Sequence, residues 1–305
     1  MTDDTFDPKA FKKPMRLTPN EPEPTPDNET FNPKAVAGRI AAKAEADKQE
    51  EIDLANRPLG KVKMWSFSRL MAFENCPYSV YLKYVEKAPD PSGPAAERGT
   101  IIHEAIENYI QCETDAIRPE LGRGVKGVDL TPFMPLYNRL REGYQEGRVE
   151  VEGDWGFTRD WQQTGFFADD VWARVKLDAI EFQGDDPHTA TSALAVDHKT
   201  GRRFGNELKH NQQGMVYAIA AFMRYPNLEF VETSFEYLDQ NERMGNKYTR
   251  SRAMLLKPMW DKRANKLTTA TEFPPKPSMH ACKWCAHAKI QEGEDAPRCS
   301  FAYQE

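Results

Sequence analysis

The sequence predicts an α/β fold, a mixed central sheet flanked by helices, with a helical N-terminal part and a cysteine-bearing tail at the C-terminus. Periodicity carries most of that expectation. Apolar residues recur at helical spacing over 97–110 and 206–224, whereas 166–182, 193–199, 229–238 and 248–256 mix β-branched and aromatic residues with polar alternates, as paired strands do. Length adds the rest: 305 residues suffice for one large domain with appendages and a substantial core.

The first 60 residues stand apart. Pro19, Pro22, Pro24 and Pro26 alternate with acidic and polar residues, a composition that builds neither a core nor a regular helix. A disordered arm is expected over 1–60. Within it, Ala, Lys and Glu favour a helix from 34 to 56, with few large apolar residues to pin it to a core. The hexads Thr5-Phe6-Asp7-Pro8-Lys9-Ala10 and Thr30-Phe31-Asn32-Pro33-Lys34-Ala35 repeat there. Each reads either as a docking motif for a protein partner or as a local turn and helix start. The folded domain is expected over 61–305. The chain has 29% charged residues, a net charge of −6 and a mean hydropathy of −0.73. With no run of about 18 apolar residues and no signal peptide, it is expected to be soluble and cytoplasmic, without membrane contact. The acidic balance counts weakly against nucleic acid as a partner, since a binding groove needs only local basic residues.

Taken in order, the domain opens with Ser66 or Ser68 capping a short helix whose apolar side is Phe67, Leu70, Met71 and Phe73, closed by Cys76-Pro77. A second helical segment over 78–85 and a Pro/Gly/Ala loop over 88–96 follow. Helix 97–110 buries Ile102, Ala105, Ile106, Tyr109 and Ile110, and His103 and Glu107 share a face at the edge of that stripe. A Gly-rich loop spans 113–130 and a helix 131–148. In the region 166–182, Val175, Leu177 and Ala179 face one way; Lys176, Asp178 and Ile180 face the other. Asp178 is thus an acid among apolar neighbours before a turn at 184–187. Strand 193–199 runs into Asp197-His198-Lys199-Thr200-Gly201, where alternation sets Asp197 and Lys199 on one side and His198 on the other. Helix 206–224 carries Gln213 and Tyr217 one turn apart. Strands over 229–238 and 248–256 and a helix over 258–265 precede the tail.

Asp178 and Asp197 on adjacent strands are placed to bridge one divalent cation. Lys199 beside them can orient an attacking water or neutralise charge building on a phosphate. Asp-x-Lys alone is also a common exposed strand end with a weak ion pair, so the neighbours decide. Five elements occur in one order: Ser66-Phe67-Ser68 leading into Cys76-Pro77, Gly99-x-x-x-His103, Asp178, Asp197-x-Lys199-Thr200-Gly201, and Gln213-x-x-x-Tyr217. In these the chain resembles the PD-(D/E)XK nuclease superfamily, in the RecB-like branch that includes iron–sulfur nucleases of the CRISPR-associated adaptation and AddB types.

That resemblance implies a restriction-endonuclease-like core and Mg2+- or Mn2+-dependent hydrolysis of DNA. It implies an exonuclease acting on single-stranded or frayed ends in replication, recombination or repair, in a bacterial cell or a phage-infected host. It makes His103, Asp178, Asp197 and the backbone carbonyl of His198 the metal ligands. Asp178, Asp197 and Lys199 become the catalytic set, with Gln213 and Tyr217 lining the DNA-binding side. Two departures are present: Asp197 stands where many relatives have Glu, and Val175 where a glycine often precedes the strand acid. The rival from another class is a catalytically silent DNA-binding or scaffold protein with this fold.

Five cysteines, three of them in the last two dozen residues, argue against a secreted disulfide framework and for a metal site. Cys282-Lys283-Trp284-Cys285 has the gap by which two thiolates chelate one centre, and Cys299 supplies a third. The resemblance makes Cys76 the distant fourth ligand of a 4Fe–4S cluster. Cys112, at the end of the His103 helix, reads as a core thiol. His280 and His287 lie close enough to complete a Zn2+ site instead, so both metals stay open.

Overall fold

The computed structural model describes residues 33–184, 186–291 and 293–303. The first Phe hexad, the Pro-rich run and the phenylalanine of the second hexad lie outside the described residues. Backbone contacts divide the chain between Gln49 and Glu50. The first unit contributes the leading turns of helix α1, Pro33–Asn56, whose described side chains over 34–49 are exposed.

The second unit contains helices α2 Phe67–Asn75, α3 Pro77–Tyr84, α4 Pro94–Ile110, α5 Met134–Gln145, α6 Glu207–Arg224, α7 Arg250–Thr268 and α8 Met279–Lys283. Its strands are β1 Val149–Phe157, β2 Gln163–Thr164, β3 Ala173–Gln183, β4 Ser192–Lys199, β5 Phe230–Tyr237 and β6 Glu242–Thr249. They form one mixed sheet of order β2-β1-β3-β4-β5-β6. Only β4 and β5 run parallel, and α6 makes the crossover that parallel neighbours require. Helices α2, α6 and α7 close one face over Leu177, Ile180 and Ala195; α4 and α5 close the other over Ala179 and Val196. Among the described residues no helix is long and apolar enough to cross a membrane.

Ile180 departs from the expected alternation. It joins the cluster of Leu177, while Ala179 between them packs in the opposite one. The faces therefore exchange at Asp178. The neighbouring strand shows the cause: Gly153 pairs with Leu177 and Val151 with Ala179, and Glu152 between them has φ +49°. Left-handed backbone costs a non-glycine residue about 1–2 kcal/mol, and it turns both strands over at one point.

Other expectations are corrected. Strand β3 starts only at Ala173, and its partner β1 lies in a stretch for which the sequence reading assigns no strand. The helix expected over 131–148 is a 3₁₀ turn at Thr131–Phe133 followed by α5, which stops before Gly147 at φ +77°. The strand expected over 248–256 is the end of β6 and the start of α7. Thr249 Oγ1 accepts from Arg252 N–H at 3.3 Å to cap that helix, and Ala253, Trp260, Ala264 and Leu267 form its buried face.

Before α2 the chain is stitched to the sheet. Trp65 N–H donates to Trp172 C=O at 2.8 Å, and Arg174 N–H to Trp65 C=O at 2.9 Å. The rings of Trp65, Trp161 and Trp172 pack edge to face with centroids 5.6 to 6.2 Å apart, geometry that aromatic quadrupoles favour. This anchor sets the start of α2, and with it Arg69 and Cys76.

Candidate active site

Strands β3 and β4 pair from Gln183 and Ser192 down to Ala179 and Val196, and there the ladder stops. At the next position a side chain replaces the backbone acceptor: His198 N–H donates to Asp178 Oδ2 at 2.6 Å. Two acids, Asp178 and Asp197, therefore meet at the splayed tip. Lys199 C=O accepts from Leu238 N–H at 2.9 Å on the β5 side. Successive peptide groups of a strand face opposite edges, so His198 C=O turns toward Asp178.

Asp197 is 4% exposed. Tyr217 O–H donates to its Oδ1 at 2.6 Å and Gln213 Nε2–H to the same oxygen at 3.4 Å. Gln213 Nε2–H also donates to the Tyr217 hydroxyl oxygen at 2.6 Å, and Gln213 Oε1 accepts from Lys199 Nζ at 3.2 Å. Lys199 Nζ stands 2.5 Å from Asp197 Oδ2, which closes a ring of four side chains. That contact is an ion pair without hydrogen-bond alignment, and Oδ2 is buried with no hydrogen bond of its own. A buried carboxylate oxygen compensated by one lysine suits a cation. Burial raises the Tyr217 hydroxyl well above its ordinary pKa, so it stays a donor. Close packing of α6 makes the ring possible, since a Cβ at Gly214 would lie 2.9 Å from Thr233 Oγ1 on β5.

From the other side α4 brings His103, whose Nδ1 lies 3.3 Å from Asp178 Oδ1. Gly99, one turn earlier, permits the approach: a Cβ there would stand 3.2 Å from Thr200 Oγ1. Arg98 fastens the same turn, donating to both carboxylate oxygens of Asp239 at 2.8 and 3.0 Å and to Lys126 and Gly127 carbonyls. Burial disfavours charge on both His103 and Asp178. Their hydrogen-bonded contact outweighs it, lifting His103 above its usual pKa and holding Asp178 well below the carboxylate range. The His198 ring turns away, as alternation requires, and packs edge-on against Tyr137 at 5.4 Å and His103 at 5.6 Å. Burial lowers its pKa and keeps it neutral. The tip thus gathers His103, Asp178, Asp197, Lys199, Gln213, Tyr217 and the His198 backbone. Arg98 escaped the sequence reading, although it directly precedes Gly99.

A second convergence involves sulfur. Cys76, Cys282, Cys285 and Cys299 line one cavity of about 330 Å³ together with His280 and His287. Cys76 sits where α2 ends and α3 begins. Backbone donors point at the sulfurs: Lys276 N–H to Cys76 Sγ and Tyr303 N–H to Cys282 Sγ, both at 3.4 Å. Burial pushes the Cys285 and Cys299 thiols up, against backbone N–H groups that favour their thiolates. Such a set fits a metal by donor type and by its ring of N–H···S bonds. Cys112 lies apart, directing its S–H to Ile110 C=O at 3.7 Å. Among the described residues no three His, Cys, Asp or Glu side chains, here or at the strand tip, are already spaced to hold an ion.

The family model of the PD-(D/E)XK nuclease superfamily matches residues 64–290, which include both carboxylates, the lysine, α4 and α6. The chain belongs to this superfamily. Among solved structures it is similar to the protein SSO0001, at 14% identity and a TM-score of 0.37, covering 81% of this chain and 93% of that one. It is also similar to a candidate exonuclease from Eubacterium rectale, at 13% identity and a TM-score of 0.40, covering 76% and 90%. No curated protein sequence matches the chain.

Proposed function

We propose that this superfamily member is a RecB-like, divalent-cation-dependent deoxyribonuclease that degrades DNA from single-stranded or frayed ends in replication, recombination or repair. The observation that carries the reading is the meeting of Asp178, Asp197, His103 and Lys199 at one strand tip, with the buried Asp197 Oδ2 compensated by Lys199 alone. His103, Asp178, Asp197 and the His198 carbonyl would hold Mg2+ or Mn2+. Such an ion supplies Lewis-acid polarisation of the phosphate and a more acidic attacking water. Lys199 then orients the nucleophile and offsets charge developing on the phosphate. Gln213 and Tyr217 hold Asp197 and Lys199 in place on the DNA-binding side.

In the same reading Cys76, Cys282, Cys285 and Cys299 hold a 4Fe–4S cluster, with Zn2+ as the competing occupant. Both are compatible with four convergent sulfurs. The domain runs over 61–305, and the arm over 1–60 recruits a protein partner. The last turns of α1 contact the domain: Leu54 is buried, and Leu54 and Arg57 carbonyls accept from Arg159 at 2.6 and 2.8 Å.

Purified protein incubated with end-labelled single- and double-stranded DNA, with and without Mg2+ or Mn2+, tests the proposal. Mononucleotide or short products that appear only with the cation and only from ends support it. Products from closed circular DNA would make the enzyme an endonuclease, and binding without any product would leave the silent DNA-binding alternative.

A further inference from the structure

Beside the strand tip a separate cavity of about 350 Å³ opens between α2, β3 and α6. Arg69, Arg174, Lys176 and Phe166 line it, and it shares Gln213 and Tyr217 with the carboxylate ring. Its charge is unbalanced. Among the described residues, neither Arg69 nor Arg174 has a carboxylate at ion-pair distance, and the Nε of each is buried without a partner. Lys176, by contrast, is paired with Glu152. The Arg174 guanidinium packs against two adjacent aromatic rings, 4.9 Å from Phe166 and 5.1 Å from Phe167. Arg69 donates to Met64 C=O at 2.8 Å and stacks 3.9 Å over Tyr84. Burial, and then the Arg69 charge, depress the Arg174 pKa, with the more distant Asp154 carboxylate partly opposing them.

Two half-buried cations with no carboxylate at ion-pair distance are costly, and an anion entering the cavity lowers that cost. Their positions are not accidental: the Trp65 to Trp172 and Arg174 to Trp65 backbone bonds bring α2 against β3. Planar guanidiniums, with donors in a fixed fork, match phosphate oxygens better than any other common anion except a carboxylate. The cavity opens onto the site where a strand is cut, which favours phosphate. Phe167, 79% exposed and 5.1 Å from the lining Phe166, offers a flat apolar face to a base.

We propose that Arg69 and Arg174 bind a phosphate of the strand being cut, beside the scissile one, and that Phe167 stacks on a neighbouring base. The site sets which part of the strand enters the carboxylate centre. This rests on the nuclease reading, so the test is a binding measurement, separable from cleavage.

Labelled single-stranded oligonucleotides carrying a 5′-phosphate, a 3′-phosphate or neither are titrated by fluorescence anisotropy, without divalent cation, across a salt series. Arg174→Gln and Arg69→Gln should each weaken binding about tenfold or more and lower the slope of log K against log salt by about one. Arg174→Lys should keep the slope and lose part of the affinity. An equal loss on all three oligonucleotides assigns an internal phosphate; a loss confined to one end-phosphorylated form assigns that terminus. Phe167→Ala, at an exposed position, should weaken binding about tenfold, and it serves as the test should either arginine variant melt early. Wild-type affinity and slope in all three variants, with the unaltered protein binding normally, overturns the site. If the unaltered protein neither binds nor cuts DNA, the nuclease reading falls, and the phosphate site with it.

Discussion

Tyr217→Phe removes a single oxygen from the ring around Asp197. The ring stays in its slot, stacked 6.3 Å from Phe235, so no cavity opens. Asp197 Oδ1 loses a 2.6 Å bond and keeps only the 3.4 Å contact from Gln213. A hydrogen bond to an ionised acceptor contributes about 1.5–3 kcal/mol. Gln213 Nε2, freed from the Tyr217 hydroxyl, can close on Oδ1 and recover part of this, which favours the lower figure, about tenfold in an equilibrium or rate. If Tyr217 acts by aiming Asp197 at the cation, the loss falls on the cation concentration needed for half-maximal cleavage, with the saturated rate changed by no more than about threefold. Cleavage of labelled single-stranded DNA is followed across a Mn2+ titration in wild type, Tyr217→Phe, Gln213→Ala and the double variant, whose effects should be non-additive because the two side chains share one acceptor. Unchanged cation dependence with weakened DNA affinity would refute the positioning role and make Tyr217 a DNA contact.

Three further outcomes are expected. His210 is stacked 5.4 Å from Phe235 and shares a 2.6 Å hydrogen bond with the Tyr237 hydroxyl; burial, then Lys199 and Lys209, against Glu207, push its pKa down to about 4. The unfolded chain takes up that proton near 6.5, so stability is full above about pH 6.5 and falls toward pH 4 by up to roughly 3 kcal/mol. Urea unfolding at several pH values should show a shallower loss in His210→Phe, and identical slopes would contradict the assignment. Deleting residues 1–49 should leave cleavage of naked DNA unchanged. Deleting 1–58 also removes buried Leu54 and two carbonyl partners of Arg159, and should cost about 3 kcal/mol; equal melting of the two truncations would show that those contacts carry nothing. Anaerobic purification should give a brown protein with stoichiometric iron and sulfide, bleached by Cys76→Ala, whereas a colourless protein with one zinc per chain decides for the other metal.

Much of the strand tip follows from local rules that the sequence displays. Alternation along β4 separates Asp197 and Lys199 from His198, helical spacing aligns Gln213 with Tyr217, and Gly99 announces the close approach of α4. Where the sequence was silent, the cause lay in tertiary geometry. Nothing in Glu152 advertises a left-handed backbone, so the exchange of faces at Asp178 was unreadable. β6 is an edge strand with a single buried residue, Tyr248, and had no apolar rhythm to betray it. β1 was readable: Val149-Glu150-Val151-Glu152 alternates directly after the helix expected over 131–148, but the run is short and Gly153 interrupts it. The pairing of Arg69 with Arg174 depends on the Trp65 anchor joining segments about a hundred residues apart, which no local pattern encodes.

The central claim is that Asp178 and Lys199 are poles of one metal-phosphate site. Single-turnover cleavage of end-labelled single-stranded DNA at saturating Mn2+, in wild type, Asp178→Ala and Lys199→Ala, tests it most directly, with melting curves run alongside. The account predicts cation-dependent cleavage by wild type and a loss of about a hundredfold or more in each variant, with folding retained because neither substitution opens a large core cavity. Wild-type rates in either folded variant, or cleavage that persists without any divalent cation, would contradict it.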